Sequence, residues 1–168
     1  MNMDLIKNAV AEAAKRFGAE EYELTVTDRE NTGVEALKKE ISSVSYSRSG
    51  SMVVRCVVGG KSGYAASELV TPEAAAQIVE TACENATIVD DADQVGLFPG
   101  SAHYETSRDT AIVLPDTDAL KERALQLQEL AYAASDKIID GTQSFVSGMN
   151  IIQDVMNSAG LQLHYETG

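Results

Sequence analysis

The stretch that decides the fold is Met52–Ser67, which reads MVVRCVVGGKSGYAAS. Its first seven residues are rich in β-branched side chains, which predicts a central strand over Met52–Val58 that is covered on both faces. Gly59 and Gly60 then predict a two-residue hairpin turn, because glycine readily adopts the positive φ angles that such turns require. The returning strand is expected over Ser62–Ser67. An antiparallel sheet is therefore the predicted centre of the fold.

A helix is predicted directly after this hairpin. Thr71 supplies an N-cap hydroxyl, Pro72 suits the first helical position, and Glu73 places an acid in the first turn. The helical period predicts a buried side made of Ala75, Ile78, Val79, Ala82, Cys83 and Ala86. After this helix, residues 90–100 lack any period and are interpreted as a surface connection.

The segment before the hairpin also begins with a helix. Its apolar residues recur at helical spacing from Asp4 to Phe17, and Gly18 is expected to end it in the left-handed conformation. Alternation from Tyr22 to Thr27 then predicts a strand with one face on the core. Two turns are predicted after this strand, one (or a bulge) at residues 31–33 and one at residues 49–51, with a polar, serine-rich strand region over residues 35–48 between them.

The last third of the chain repeats the order of helix and strands. Asp116 is predicted to cap a helix that ends near residues 135–136. The apolar positions of that helix are Leu120, Ala124, Leu127, Ala131 and Ala134, with Leu130 beside them. Strand-like alternation follows from Phe145 to Met156, then a turn at residues 157–160 and a new strand over residues 161–165.

These elements predict an α+β fold, an antiparallel β-meander sheet with three main helices. Hairpin-length connections exclude the crossovers that a parallel sheet requires. The helix-then-strands order occurs twice, which leaves a duplicated unit open as an alternative. The length of 168 residues fits a single domain over residues 1–168, or two lobes over residues 1–100 and 101–168.

The charge and the cysteine content of the chain limit the classes of binding partner and the cellular compartment that we expect. Thirteen basic and 26 acidic residues give a formal net charge of -13, which disfavours nucleic acids and acidic membrane surfaces as partners. Proteins, peptides and small neutral or cationic molecules remain. No apolar stretch is long enough to span a bilayer, so a cytoplasmic location is expected. Cys56 and Cys83 lie far apart in the sequence, which predicts free, buried thiols.

Motifs that bind phosphate are incomplete in this sequence. Gly60-Lys61-Ser62 resembles the end of a phosphate-binding loop, but the position five residues before Gly60 is Arg55 instead of glycine. The three glycines of the hairpin also miss the spacing of a dinucleotide-binding loop. The sequence therefore predicts no cofactor-binding residue.

The usual catalytic and metal-binding patterns are missing as well. The only histidines, His103 and His164, are far apart in sequence and lack the spacing of a zinc peptidase. The acidic residues at 90, 91 and 93 lack the other ligands of a calcium-binding loop and are interpreted as solvated. Neither a catalytic nor a metal-ligating residue is predicted.

The order of these elements resembles the N-terminal domain of the TldD/PmbA family, whose members are also called modulators of DNA gyrase. The resemblance rests on GAEEYEL at residues 18–24, GGKSGYAAS at residues 59–67, the helix after Thr71-Pro72, GLFP at residues 96–99, the helix from Leu120 to Ala134, and NSAG at residues 157–160, which is similar to the family's Asn-Ser-x-Gly turn. SDKI at residues 135–138 and Ser144-Phe145 are closer to the PmbA (TldE) side of the family.

The resemblance implies a non-catalytic N-terminal domain of a longer subunit in a cytoplasmic peptidase complex that degrades or matures peptides. The expected partner is a TldD/PmbA-type subunit in a homo- or hetero-oligomer, with an unfolded peptide as a further partner. Zinc is implied only for the TldD-type catalytic subunit, in which a His-Glu-x-x-x-His motif and a later cysteine bind the metal. No catalytic or metal position transfers to this chain. The alternative is a stand-alone protein- or peptide-interaction domain without a proteolytic role.

Overall fold

The computed structural model describes residues 2–90, 96–101, 115–138 and 141–168. Within these ranges the chain forms helices α1 (Met3–Phe17), α2 (Pro72–Ile88) and α3 (Thr117–Ala134) and strands β1 (Glu21–Leu37), β2 (Glu40–Val58), β3 (Lys61–Ser67), β4 (Gln143–Asn157) and β5 (Gln162–Thr167). The strands form one five-stranded sheet in the order β3-β2-β1-β4-β5. The predicted α+β meander with three helices is confirmed.

The chain divides into two compact units, each drawn from three segments. Unit 1 comprises Met1–Asp28, Ser49–Arg108 and Ile152–Tyr165, and unit 2 comprises Arg29–Arg48, Asp109–Ile151 and Glu166–Gly168. Strands β1, β2, β4 and β5 each contribute residues to both units. The assignment of residues 1–168 to one N-terminal domain of a longer protein remains a prediction.

The core of unit 1 lies between one face of the sheet and helices α1 and α2. Strands β1 and β2 contribute Leu24, Val26, Met52, Val54 and Cys56, and the helices contribute Ile6, Val10, Ala75, Val79 and Ala82 among others. The caps of both helices agree with the sequence prediction. Thr71 accepts a hydrogen bond from the Ala74 amide, and Gly18 ends α1 with a φ of 74°. All six positions predicted for the buried side of α2 are buried.

The hairpin of β2 and β3 is confirmed in position and direction. Its strands are antiparallel, with Val58 opposite Lys61 and Met52 opposite Ser67. Gly59 and Gly60 form the turn with φ angles of 59° and 73°. The prediction that Met52–Val58 is covered on both faces is wrong at Val53, which is 42% exposed. The helices cover one face of this strand, and the side chain of Val53 lies on the other.

The core of unit 2 is smaller and combines β1, β4 and α3. Val34 and Ala36 of β1 pack with Leu120 and Ala124 of α3, and Val146 of β4 packs against this cluster. Asp116 caps α3 as predicted, because its carboxylate accepts a hydrogen bond from the Ala119 amide. Ser144 donates a hydrogen bond of 2.7 Å to the Ala124 carbonyl, which joins β4 to the helix.

The apolar side predicted for α3 is correct only in its first half. Leu120 and Ala124 are buried, but Leu127 is exposed and Leu130 is 70% exposed. The third buried residue of the helix is Gln128. Its amide nitrogen donates to the carbonyls of Ala36 and Thr142, and its amide oxygen accepts from the Lys39 amide. The helical period predicts that Leu127 is buried, but the buried residue at this point of the helix is the polar Gln128.

The turn predicted at residues 49–51 is wrong, because β2 continues through it. At residues 31–33, where the sequence predicts a turn or a bulge, β1 also continues, so the turn alternative is wrong. Gly33 and Gly50 instead mark close approaches within the strands. A Cβ on Gly33 would lie 2.8 Å from Ser45 Oγ and 3.0 Å from the Phe145 ring, and one on Gly50 would lie 2.8 Å from a Val70 methyl group. The actual turn is Lys38–Lys39, within the region interpreted as continuous strand.

The turn after β4 is held by side chains. Asn157 Oδ1 accepts from the amides of Ala159 and Leu161, while its Nδ2 donates to the Phe98 carbonyl at 2.8 Å. Ser158 Oγ accepts from the Tyr22 amide. The Asn-Ser-x-Gly turn thus joins β4 to the start of β1 and to the segment at Phe98, which indicates a structural role for these residues.

Candidate interaction surface

The glycine turn that resembles part of a phosphate-binding loop holds an internal carboxylate. The amides of Gly59 and Gly60 each donate to Glu20, at 3.3 Å to one carboxylate oxygen apiece. Lys61 Nζ donates to the Val89 carbonyl at 2.6 Å. Adjacent amide groups of this kind bind anions, and here the anion is a side chain of the protein. The interpretation of the turn as a structural hairpin is therefore consistent with its contacts.

The two cysteines lie side by side in the core of unit 1. Cys56 on β2 and Cys83 on α2 are buried free thiols that share a hydrogen bond. Burial, together with the neighbouring thiol of Cys83, raises the pKa of Cys56 to about 12 from 9.0. Burial also raises the pKa of Cys83. Because the thiolate is the reactive form, these residues are unsuited to nucleophilic catalysis.

We expect neither thiol to react with a disulfide reagent at pH 8 while the chain is folded. Both should react in urea, and a Ser47→Cys variant, with its thiol on an exposed strand position, should react at once with one equivalent. Because the pKa of Cys56 is raised in the folded chain, its contribution to the free energy of unfolding is complete below the unfolded pKa of 9.0. This contribution is lost as the pH rises toward 12. Stoichiometric labelling of Cys56 in the folded chain would contradict this burial.

His164 forms the other notable polar contact of unit 1. Its Nδ1 lies 2.9 Å from Asp154 Oδ1. Both residues line a surface depression of about 240 Å³ with Lys7, Gln162 and Met156, where no serine, threonine or cysteine is present. Nucleophilic catalysis by a histidine and aspartate pair needs a hydroxyl or thiol within reach, and none of the residues that line this depression provides one. The pair forms a polar contact at the surface.

Of the other histidine and acidic positions considered in the sequence, His103 and the acidic residues at 90, 91 and 93, the structure describes only Asp90. Within the described ranges, no three His, Cys, Asp or Glu side chains are close enough to hold a metal ion. His103, Asp91 and Asp93 lie outside the described residues. In the same ranges, no helix is both long enough and apolar enough to cross a membrane.

The first half of β2 has one strand neighbour among the described residues. There, β3 pairs with β2 only from Met52 to Val58, so residues 40–45 have a strand neighbour only on the β1 side. Residues 42–49 are all exposed. An exposed strand edge offers backbone groups to another extended chain. We call residues 40–45 the open edge.

Exposed apolar side chains accompany the open edge in unit 2. They are Phe145 and Met149 on β4. Phe145 and Met149 alternate with the buried Ser144 and the core-packed Val146, so they lie on the face of β4 that α3 leaves uncovered. Phe145 is 57% exposed although its ring contacts Gly33. We call these two side chains the open face.

Comparison with known proteins finds a family similarity over part of the chain. Residues 22–86, which form most of β1, the β2–β3 hairpin and most of α2, match the model described as PmbA/TldA metallopeptidase domain 1. This match supports the resemblance to the first domain of the TldD/PmbA family. No curated protein sequence matches the chain significantly.

Three solved structures share the fold of this chain. TldE from Thermococcus kodakarensis matches with a TM-score of 0.77 at 22% identity over 97% of the chain. A protein described as a candidate modulator of a DNA gyrase from Thermotoga maritima gives a TM-score of 0.80 at 15% identity over 99% of the chain. A similar protein from Bacteroides thetaiotaomicron gives 0.79 at 16% identity over 98%.

The chain is short compared with these three structures. It covers 37% of the proteins from Thermotoga maritima and Thermococcus kodakarensis and 38% of the one from Bacteroides thetaiotaomicron. The similarity therefore applies to their domain that corresponds to this fold.

Proposed function

We propose that this domain is the non-catalytic N-terminal part of a cytoplasmic TldD/PmbA-type peptidase subunit and that it assembles the subunit with its partner. The observation that supports this role is the open face of unit 2, where Phe145 is 57% exposed and Met149 is 44% exposed. Adjacent exposed aromatic and methionine side chains are typical of protein interfaces. The family match supplies the peptidase context.

The chemistry of the described residues supports a role without catalysis in this domain. The cysteines are buried with raised pKa values, and His164 is paired with Asp154. The described residues also do not fit a zinc site, since no group of three ligands comes together in them. In this proposal, zinc and the hydrolytic step belong to a TldD-type partner subunit.

The experiment is co-expression of the subunit that contains this chain with a TldD-type partner. Met149→Glu places a carboxylate on the open face and should reduce the amount of co-purified partner at least tenfold, because a buried unpaired charge is costly at an interface. Leu69→Glu is the control, since Leu69 is exposed on unit 1. The urea midpoints of both variants should equal that of the unmodified protein. Unchanged assembly of Met149→Glu would refute this role for the open face.

A second candidate is peptide binding, which the open edge favours. An extended peptide that pairs with residues 40–45 would form backbone hydrogen bonds without requiring a particular sequence. This activity fits both a peptide-positioning role within the peptidase and the alternative of a stand-alone interaction domain. Titration of unstructured peptides onto the 168-residue chain tests it. The absence of binding at millimolar peptide would exclude it, and binding without any partner subunit would favour the stand-alone role.

A further inference from the structure

The turn between β1 and β2 has an unusual backbone for its residue types. Lys38 and Lys39 have φ angles of 53° and 63°, and they are the non-glycine residues with positive φ in the described part of the chain. Two-residue hairpin turns of this type favour Asn-Gly, because a side chain with a Cβ is strained in the left-handed region. Strain of this kind persists where the surrounding structure enforces it and is frequent at functional sites.

Helix α3 enforces this conformation through two contacts. The fully buried Gln128 accepts a hydrogen bond from the Lys39 amide. The Lys39 ammonium group lies 5.5 Å from the centre of the Tyr132 ring, which is a cation–π distance. The backbone of the tip is therefore fixed by the helix, and the Lys39 side chain is kept close to Tyr132.

Three polar groups at this tip have unused binding capacity. Lys38 and Lys39 are exposed, and neither forms an ion pair with a described residue. The Tyr132 hydroxyl is buried and has no hydrogen-bond partner among the described residues. A buried hydroxyl without a partner costs free energy, so a ligand that accepts its hydrogen bond gains affinity. Together these groups offer two cations and one neutral donor.

We propose that the Lys38–Lys39 tip, with Tyr132, binds carboxylate groups of an acidic segment in a partner protein. Carboxylates accept hydrogen bonds from both ammonium and hydroxyl groups. The net charge of -13 repels a long polyanion such as a nucleic acid at most of the surface, whereas a short acidic segment needs only this local basic site. The tip thus gives an acidic chain one preferred docking point.

The test measures fluorescence anisotropy of a labelled hexaglutamate peptide with the 168-residue chain at about 0.1 M salt, where charges separated by more than about 10 Å are screened. Lys38→Asn combined with Lys39→Gly keeps the turn and relieves its strain. We expect this double variant to have a higher urea midpoint and at least tenfold weaker peptide binding. Tyr132→Phe should weaken binding about threefold to tenfold, as expected for one lost hydrogen bond.

Matched controls separate this site from general charge effects. Lys15→Gln combined with Arg16→Gln removes two positive charges from α1 and should leave the affinity within twofold. Labelled hexaglutamine should not bind. Equal hexaglutamate affinity of the Asn-Gly variant and the unmodified chain would overturn the proposal, as would failure to bind at millimolar peptide. Tighter binding of a thymidine hexanucleotide than of hexaglutamate would overturn the carboxylate assignment in favour of phosphate.

Discussion

Replacing Gly63 with alanine should lower the free energy of unfolding by about 3 kcal/mol or more, at or above the upper end for overpacked cores. A Cβ at this position would lie 2.0 Å from the Ala82 carbonyl oxygen and 2.3 Å from the Ala86 amide nitrogen. Both atoms belong to the backbone of α2, so no side chain can move to make room. The helix itself must shift away from β3, which opens the core that Cys83 and Val79 share with the sheet.

Urea unfolding followed by circular dichroism measures this effect. Gly141→Ala is the matched control, because a Cβ there has no atom within 4 Å and its φ is not positive. That variant should stay within about 0.5 kcal/mol of the unmodified chain. Should Gly63→Ala unfold at the same urea concentration as Gly141→Ala, α2 cannot lie as close to β3 as the structure places it.

Gly63 also illustrates what the sequence predicts and what it leaves out. Gly59 and Gly60 predict the hairpin because the turn needs positive φ angles, which is a local requirement. Gly63 lies in the returning strand and has an ordinary φ. Its requirement comes from a helix about twenty residues later in the chain. A glycine inside a strand pattern does indicate a close approach, but the sequence does not reveal which element approaches.

The same distinction explains the turns predicted at Gly33 and Gly50. Both glycines directly follow polar residues that are typical of turns, so local signals favour a break in each strand. In the structure they are strand positions crowded by Phe145 and by Val70. The actual turn at Lys38–Lys39 has no glycine, asparagine or aspartate, and therefore no local signal. Its conformation depends on Gln128, which lies about ninety residues away in sequence.

The open face follows from the pattern of α3 as much as from the strands. Helical period alone places Leu127 and Leu130 with Leu120 on one apolar side. In the structure the helix buries only Leu120 and Ala124 of this set. The helical period of a sequence identifies the apolar side of a helix, but it does not identify the element that covers that side. Neither the exposure of Leu127 and Leu130 nor the open face of β4 was therefore predictable. The candidate surface required the strand order and the burial of each residue.

Replacing Gln128 with methionine should lower the free energy of unfolding by about 2–4 kcal/mol, because three backbone groups lose their partner while the volume is conserved. Those groups are the Ala36 and Thr142 carbonyls and the Lys39 amide. Gln126→Met on the exposed side of the same helix is the control and should change stability by no more than about 0.5 kcal/mol. Urea unfolding measures both variants, and hydrogen exchange at the Lys39 amide should be faster in Gln128→Met only.

The variant Gln128→Glu separates hydrogen bonding from packing. A carboxylate still accepts from the Lys39 amide, but it cannot donate to the carbonyls of Ala36 and Thr142. Burial beside two carbonyl oxygens raises the pKa of the introduced glutamate above its unfolded value of about 4.3. The free energy of unfolding of the Gln128→Glu variant is therefore greatest below a pH of about 4.3. It falls as the pH rises through the pKa that the glutamate has in the folded chain. Relative to the unmodified chain, Gln128→Glu should be more destabilised at pH 7 than at pH 4. Equal losses at both pH values would mean that the side chain reaches solvent instead of the hairpin backbone.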